Sequence, residues 1–444
     1  MHTRILVAAA SAVALTLAAA PAMANPAEIK RSVAADYDND LEALFRHFHE
    51  NPELSFLETN TARRMAAELR AAGLDVTEGV GGTGVVGMAR NGDGPLILLR
   101  ADMDGLPMPE KTGLDYASTA MQVGQDGQEY PVMHACGHDV HITSMVGTAR
   151  QLMAMKDSWS GTLMFVVQPA EERVGGAAAM LEDGLYDRFG KPDYALAFHV
   201  AAGLPTGKIS ASEGIQYSSA DSVDIMVPGV GAHGASPHMG RDPVYIASQI
   251  VTAMQSIVAR EVQPLKPAVI TVGAFHSGTK HNIISDRADL QLTVRANDEE
   301  TRAQLLAAIE RIAVNIGKAH GLPDELPVTV TVSEGTPVTN NDPELARRLN
   351  AVMKRDLGEA VLEPWEQKGM GAEDFAYFVA EEYGVPGYYF AVGGTPQADI
   401  DAEEAGGPPV PSHHSPLFKI APRESVTLGT EAMVAAVLDL APAK

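Results

Sequence analysis

Four short, unbroken apolar runs, Leu96–Arg100, Thr162–Val167, Tyr194–Phe198 and Tyr388–Val392, constrain this chain more than any other feature. A strand with one wet face alternates apolar and polar side chains; a run without alternation belongs to a strand covered on both faces. Helical patterns fall between the runs from Leu41 onward, which is the rhythm of an α/β fold. The expected class is therefore a mixed, mostly parallel sheet with flanking helices. With 444 residues and 45% hydrophobic content, the chain is long enough for a full core and more than one domain.

Between about Asp221 and Val338 the pattern changes. It reads as a strand (Ser222–Val227), a helix (Pro243–Arg260), two strands (Ala268–Phe275, Arg287–Arg295), a second helix (Glu299–Ala319) and a strand (Pro327–Ser333). The order β-α-β-β-α-β predicts a ferredoxin-like α+β unit inserted into the larger domain. The expected organisation is a signal peptide at 1–24, a discontinuous catalytic domain at 25–220 and 339–444, and the insert at 221–338. After Asp342 a helix returns the chain to the first domain, and the Pro/Gly-rich stretch Gly406–Pro411 reads as a surface loop.

The beginning of the chain carries an export signal: Arg4, then an apolar stretch Ile5–Ala20, then Ala22-Met23-Ala24 as a cleavage site. The expected location is periplasmic or secreted, with no membrane span after cleavage, because the apolar stretch is shorter than the roughly 20 residues a span needs. A net charge of -24 argues against nucleic acid or an anionic membrane as partner. Cys136 is the only cysteine, which excludes an intramolecular disulfide and leaves burial, metal ligation or intermolecular pairing as reasons to keep a thiol.

Ligands in open α/β sheets bind outside the carboxyl ends of the strands. Here those ends run into Asp102 and Asp104, into Gln168-Pro-Ala-Glu171-Glu172, and into His199. The segment His134-Ala-Cys136-Gly-His138-Asp-Val-His141 adds a thiol, three imidazoles and a carboxylate. A lone histidine on an apolar face is more often structural, but this density favours metal. Cys136 and His138, two apart across a glycine, face one ion if the segment is a loop. The donors suit zinc, with manganese, cobalt or nickel as alternatives. Two adjacent glutamates invite a division of labour, one toward a metal and one as base for a water.

These motifs resemble the amidohydrolase and aminoacylase family that contains hippurate hydrolase, N-acyl-amino-acid amidohydrolases and the auxin-conjugate hydrolases, relatives of dinuclear zinc carboxypeptidases. The resemblance rests on Arg46–Glu53, Leu99–Pro107, His134–Asp139 with His141, Gln168–Glu172, His233 in Gly231–His238, Asn282-Ile-Ile, Gly371–Phe375 and His414-Ser-Pro416, nearly the whole chain after the signal. It implies two divalent metal ions, zinc or manganese, held by Cys136 as bridge with His138, Glu172, His199 and His414. His413 competes with His414, which is preferred for standing before Ser-Pro. The resemblance further implies Glu171 as general base, and His233 with Asn282 reaching from the insert to the oxyanion or the substrate carboxylate, Arg295 being a weaker substrate-binding candidate. A homodimer or larger assembly formed through the insert is also implied. Asp102 and Asp104 read as groups that orient ligand histidines or shape the strand end.

The departures from the family pattern are Val140 where relatives usually carry glycine, Arg173 where glycine is common, and Ser285 in place of a proline often seen; they bear on pocket shape. The expected reaction is metal-dependent hydrolysis of N-acyl amino acids. The alternatives are a metallo-carboxypeptidase or dipeptidase and, from another class, a non-catalytic metal-binding protein.

Overall fold

The computed structural model describes residues 25–443; the export signal read at 1–24 lies outside them. The four apolar runs become adjacent, mutually parallel strands, Gly161–Gln168, Leu96–Asp102, Tyr194–Pro205 and Gly387–Thr395, at the centre of an eight-stranded sheet. Alternate side chains enter opposite cores. Ile97, Leu99, Phe165 and Phe198 pack on one face, and Leu98, Met164, Val166 and Tyr389 on the other. Burial on both sides is the physical reason the runs do not alternate. The sheet margins carried no such signal: the hairpin Asp75–Val80/Gly84–Asn91 borders one side, and the two-residue strands Ile209–Ser210 and Leu362–Glu363 the other.

One face is covered by the helix His138–Ala154, packed against the last helix, Pro422–Leu440. Both helices are buried nearly all round, which explains why neither shows a polar stripe. Their approach needs Gly147, where an added Cβ would come within 2.9 Å of Thr430 Oγ1 and 3.0 Å of Leu41.

Between Ser219 and Thr336 the chain forms a four-stranded antiparallel sheet in the order Ala268–Ser277, Arg287–Ala296, Ser219–Pro228, Thr329–Thr336. The helices Pro243–Ser256 and Glu299–Ala319 join its core, and this strand order is the ferredoxin-like one. Val223, Ile225 and Val227 face the helices, whereas Ser222, Asp224 and Met226 are half-buried on the other side.

Most strands run a few residues beyond the reading above, while two boundaries fall short of it. The first helix ends its α-helical hydrogen bonding at Ser256 and passes into a π-turn, Ile257–Glu261. The last strand starts at Thr329, beyond Pro327, whose missing N–H cannot serve a ladder. The return to the large sheet is the helix Pro343–Leu357, capped by Asp342, whose carboxylate accepts the Leu345 N–H at 2.7 Å. Among the described residues no helix is long and apolar enough to cross a membrane.

Candidate active site

The carboxyl ends of three adjacent strands and the start of the helix at His138 meet at one point. The connection Cys136-Gly137-His138 makes this local: Gly137 is left-handed (φ 85°), and an added Cβ would strike Val200 at 2.3 Å. A thiol in the turn and an imidazole on the first helical residue therefore project into the same space.

Across from them, the Cys136 Sγ lies 3.4 Å from His199 Nε2. His199 Nδ1 donates to the Val200 carbonyl at 2.7 Å, which leaves the Nε2 lone pair facing the thiol. Two sets of potential ligand atoms share Cys136, namely Cys136, His138 and His199, and Cys136, Glu172 and His414, each mutually within 4.8 Å. A third set, within the same limit, joins His138 to Glu171 and Glu172. The thiol thus lies where two ions would share a ligand.

His414, not His413, faces this centre. Its Nε2 is 3.3 Å from Glu172 Oε2, and its amide donates to the Ala135 carbonyl at 2.9 Å, tying the loop to the Cys136 turn. His413 turns the other way: its Nε2 accepts the Ala202 N–H at 3.2 Å, and burial holds its pKa well below the ordinary value. His141 is likewise occupied, donating to Asp102 Oδ1 at 2.5 Å and accepting the Val200 N–H at 2.9 Å. Burial lowers its pKa to about 3, which makes it a neutral structural histidine. His134 is buried with neither ring nitrogen hydrogen-bonded.

Beneath the centre lies Arg100, fully buried. Its guanidinium donates to Gln168 (2.8 Å), Asp102 (2.7 Å), Glu373 (2.7 Å) and Asp374 (3.1 Å), and Tyr389 donates to Glu373 at 2.5 Å. Asp102 therefore bridges Arg100 and His141, and its Oδ2 also lies 3.7 Å from His138 Nε2. Asp104 does more than shape the strand end. Its two oxygens accept the Glu171 and Glu172 N–H groups, both at 3.1 Å, and Oδ1 lies 3.2 Å from His138 Nδ1.

Arg100, Glu373 and Asp374 went unassigned in the sequence reading. A signal was present: an arginine ending an apolar strand, two residues before an aspartate on the same face, has to find acids.

The charge balance bears on a metal. Asp102, Glu373 and Asp374 contact the one arginine, and Glu171, Glu172 and Asp104 adjoin that cluster. Burial, with Glu373 and Glu172, pushes Glu171 well above the carboxylate range. Burial and Glu373 lift Asp374 to about 8 although Arg100 opposes them. Burial opposes protonation of His138, but Asp102 and Asp104 still raise it to about 10. His138 Nε2 and Glu172 Oε1 are buried without hydrogen-bond partners. Buried anions in excess and orphaned donor atoms fit a site for divalent cations.

The insert residues stand apart. His233, on the short strand Ala232–His233, is exposed, and its Nδ1 accepts the Ala235 N–H at 3.0 Å. Asn282 adjoins it through the Gly234 N–H, which donates to the Asn282 carbonyl at 2.8 Å. Arg295 is half-buried and donates to Thr293 Oγ1 at 3.1 Å. Among the described residues none of the three hydrogen-bonds to the Cys136 cluster.

Residues 98–419 match Peptidase family M20/M25/M40. The chain is 39% identical over 347 residues to a hippurate hydrolase of Campylobacter jejuni, covering 77% of this chain and 86% of that one. It is 37% identical over 352 residues to thermostable carboxypeptidase 2 of Saccharolobus solfataricus, covering 78% and 84%. A dinuclear metal binding peptidase of the M20 family from Bacillus subtilis superposes with a TM-score of 0.72 at 27% identity, covering 92% of this chain and 98% of the other. With its ligand-rich centre on the matching sheet, the chain belongs to Peptidase family M20/M25/M40 and is a metal-dependent amidohydrolase.

Proposed function

We propose that this enzyme hydrolyses the amide bond of N-acyl amino acids carrying N-acetyl, N-benzoyl or related groups. The observation that carries the reading is the placement of Cys136 in two ligand sets, with Glu171 in a third set beside them. Cys136, His138, Glu172, His199 and His414 would hold two divalent ions, zinc or manganese. Such ions supply a polarised scissile carbonyl and a water of lowered pKa. Glu171 removes the proton of the attacking water and returns it to the leaving amine. Asp104 fixes the peptide that presents both glutamates. His233 and Asn282 supply oxyanion or carboxylate contacts when the insert meets the centre.

Identity to a hippurate hydrolase over most of both chains supports an acylated amino acid as substrate. The carboxypeptidase relative at 37% identity supports a second reading, cleavage of a peptide bond by the same groups. A non-catalytic role is disfavoured because ligands and base are all present. The proposal includes export to the periplasm or medium, a body at 25–220 and 339–444, and an insert at 221–338 that acts as lid and homodimer contact.

The test is hydrolysis of N-acetyl, N-benzoyl and indoleacetyl amino acids and of dipeptides by the mature protein, before and after chelation and metal add-back, with Glu171→Ala as control. Cleavage of an acylated amino acid that requires metal and vanishes in the variant is the expected result. Cleavage of dipeptides alone transfers the assignment to the second reading.

A further inference from the structure

The turn that presents Glu171 and Glu172 is held in an unfavourable backbone conformation. Ala170 before it (φ 50°) and Val174 after it (φ 46°) are left-handed, although neither is glycine and Val174 is β-branched. Residues held there persist only where the surroundings over-determine them.

Three consecutive amides show what does so. The Glu171 and Glu172 N–H groups go to Asp104, and the Ala170 N–H goes to Glu58 Oε1 at 2.8 Å. Successive amides turned toward an anion form a concave nest. The same Glu58 oxygen accepts the N–H of Phe56, another left-handed non-glycine (φ 61°), at 2.9 Å, and the Thr83 hydroxyl donates to Oε2. Glu58 is 0% exposed, so three donors from separate segments converge on a side chain sealed from water.

Unlike Glu171 and Glu172, Glu58 belongs to none of the potential ligand sets. Unlike Asp104, it lies outside the motifs that carry the family resemblance. Burial, assisted by the charge of Asp104, lifts its carboxyl to about 7. That cost needs a return elsewhere in the molecule.

We infer that Glu58 is a positioning residue for the general base: it holds Ala170 left-handed, so that the chain leaves the strand Gly161–Gln168 with Glu171 and Glu172 aimed at the centre. The inference rests on the reading of Glu171 as base. Without the Glu58 carboxylate, Ala170 relaxes toward ordinary backbone angles and the base shifts relative to the water it must deprotonate. A displacement on the order of 1 Å costs about 100-fold in rate.

The experiment compares holoenzymes carrying Glu58→Gln, Glu58→Ala, Glu58→Ala/Ala170→Gly and Glu171→Gln on an N-acyl amino acid. Bound metal per chain and thermal midpoint are measured alongside. For Glu58→Ala, kcat falls about 100-fold and KM changes by less than about twofold, while metal content falls far less than kcat because Glu172 is one of five proposed ligands. Glu58→Gln, which keeps one acceptor oxygen, falls less. Glycine at 170 adopts the left-handed region without strain, so the double variant regains about tenfold of the lost kcat.

Wild-type kcat in Glu58→Ala, beside an inactive Glu171→Gln, overturns this inference and leaves the base reading intact. Parallel loss of kcat, metal and thermal midpoint without rescue by Ala170→Gly overturns it in favour of a purely structural role. Wild-type turnover by Glu171→Gln removes the base reading, and the inference with it.

Discussion

The strand Leu96–Asp102 of the large sheet sends Leu98 and Leu99 into different cores, whereas Ser219–Pro228 of the small sheet buries Val223 and Ile225 on one side and leaves Asp224 half-buried on the other. Their polar residues differ in the same way. At the carboxyl edge of the large sheet Arg100, Asp102, Asp104 and the helical His141 each meet two or more fixed partners, so the ligand atoms above them have little freedom. In the insert His233 is exposed, and the Asn282 side-chain oxygen is buried with no hydrogen-bond partner. One region holds a prearranged centre. The other carries groups with few fixed partners.

The largest expected effects separate the two regions directly. Cys136→Ala, which removes the atom common to two ligand sets, lowers bound metal measured by elemental analysis and abolishes hydrolysis together. His233→Ala leaves metal content unchanged and lowers kcat by about 10²–10³, the usual cost of losing one oxyanion donor. Metal loss in the His233 variant would show that the insert shares in the centre, and unchanged kcat would take His233 out of the chemistry.

A smaller effect concerns how the prearranged region is braced. His49 is buried between Asp139 Oδ2 at 2.7 Å and Glu110 Oε1 at 3.2 Å, tying an early helix to the one that begins at His138. Burial opposes its protonation, but these two carboxylates raise its pKa to about 9. A pKa raised above the unfolded value of about 6.5 gives stability that is fully present below that pH and lost as pH rises through 9. The shift corresponds to roughly 3 kcal/mol. In urea unfolding, the difference between wild type and His49→Gln is expected to shrink by about that amount between pH 6 and pH 10. A flat difference would mean that His49 is neutral in the fold.

The same contrast accounts for what the sequence made legible. Unbroken runs such as Tyr194–Phe198 exist because both faces are covered, so the central strands could be read directly, and the insert's element order was legible as well. Short margins such as Ile209–Ser210 carry too few residues for a period. At the site, Cys136, His138 and the Glu171-Glu172 pair were visible from their density. The roles of Arg100, Glu373 and Glu58 were not, because each depends on partners far away in the chain: Arg100 meets Glu373 and Asp374, and Glu58 meets Ala170. No local pattern encodes such pairings. The preference for His414 over His413, by contrast, came from its place before Ser-Pro, where the chain makes a left-handed turn (φ 61°).

The smallest expected effect lies where the two regions touch. Arg173, directly after the paired glutamates, reaches Glu334 on the insert strand Thr329–Thr336 at 3.5 Å. Both side chains are about half exposed, at 49% and 48%, so water and salt screen the pair. A double-mutant cycle with Arg173→Ala and Glu334→Ala should give a coupling of about 0.2–1 kcal/mol at low salt, vanishing near 1 M. If the insert moves against the body during turnover, so weak a link does not hold it, and kcat in the double variant stays within about twofold of wild type. A coupling well above that range, or a marked change in kcat, would make this contact a latch between the prearranged centre and the insert, and the contrast between the two regions would then be narrower than their sheets suggest.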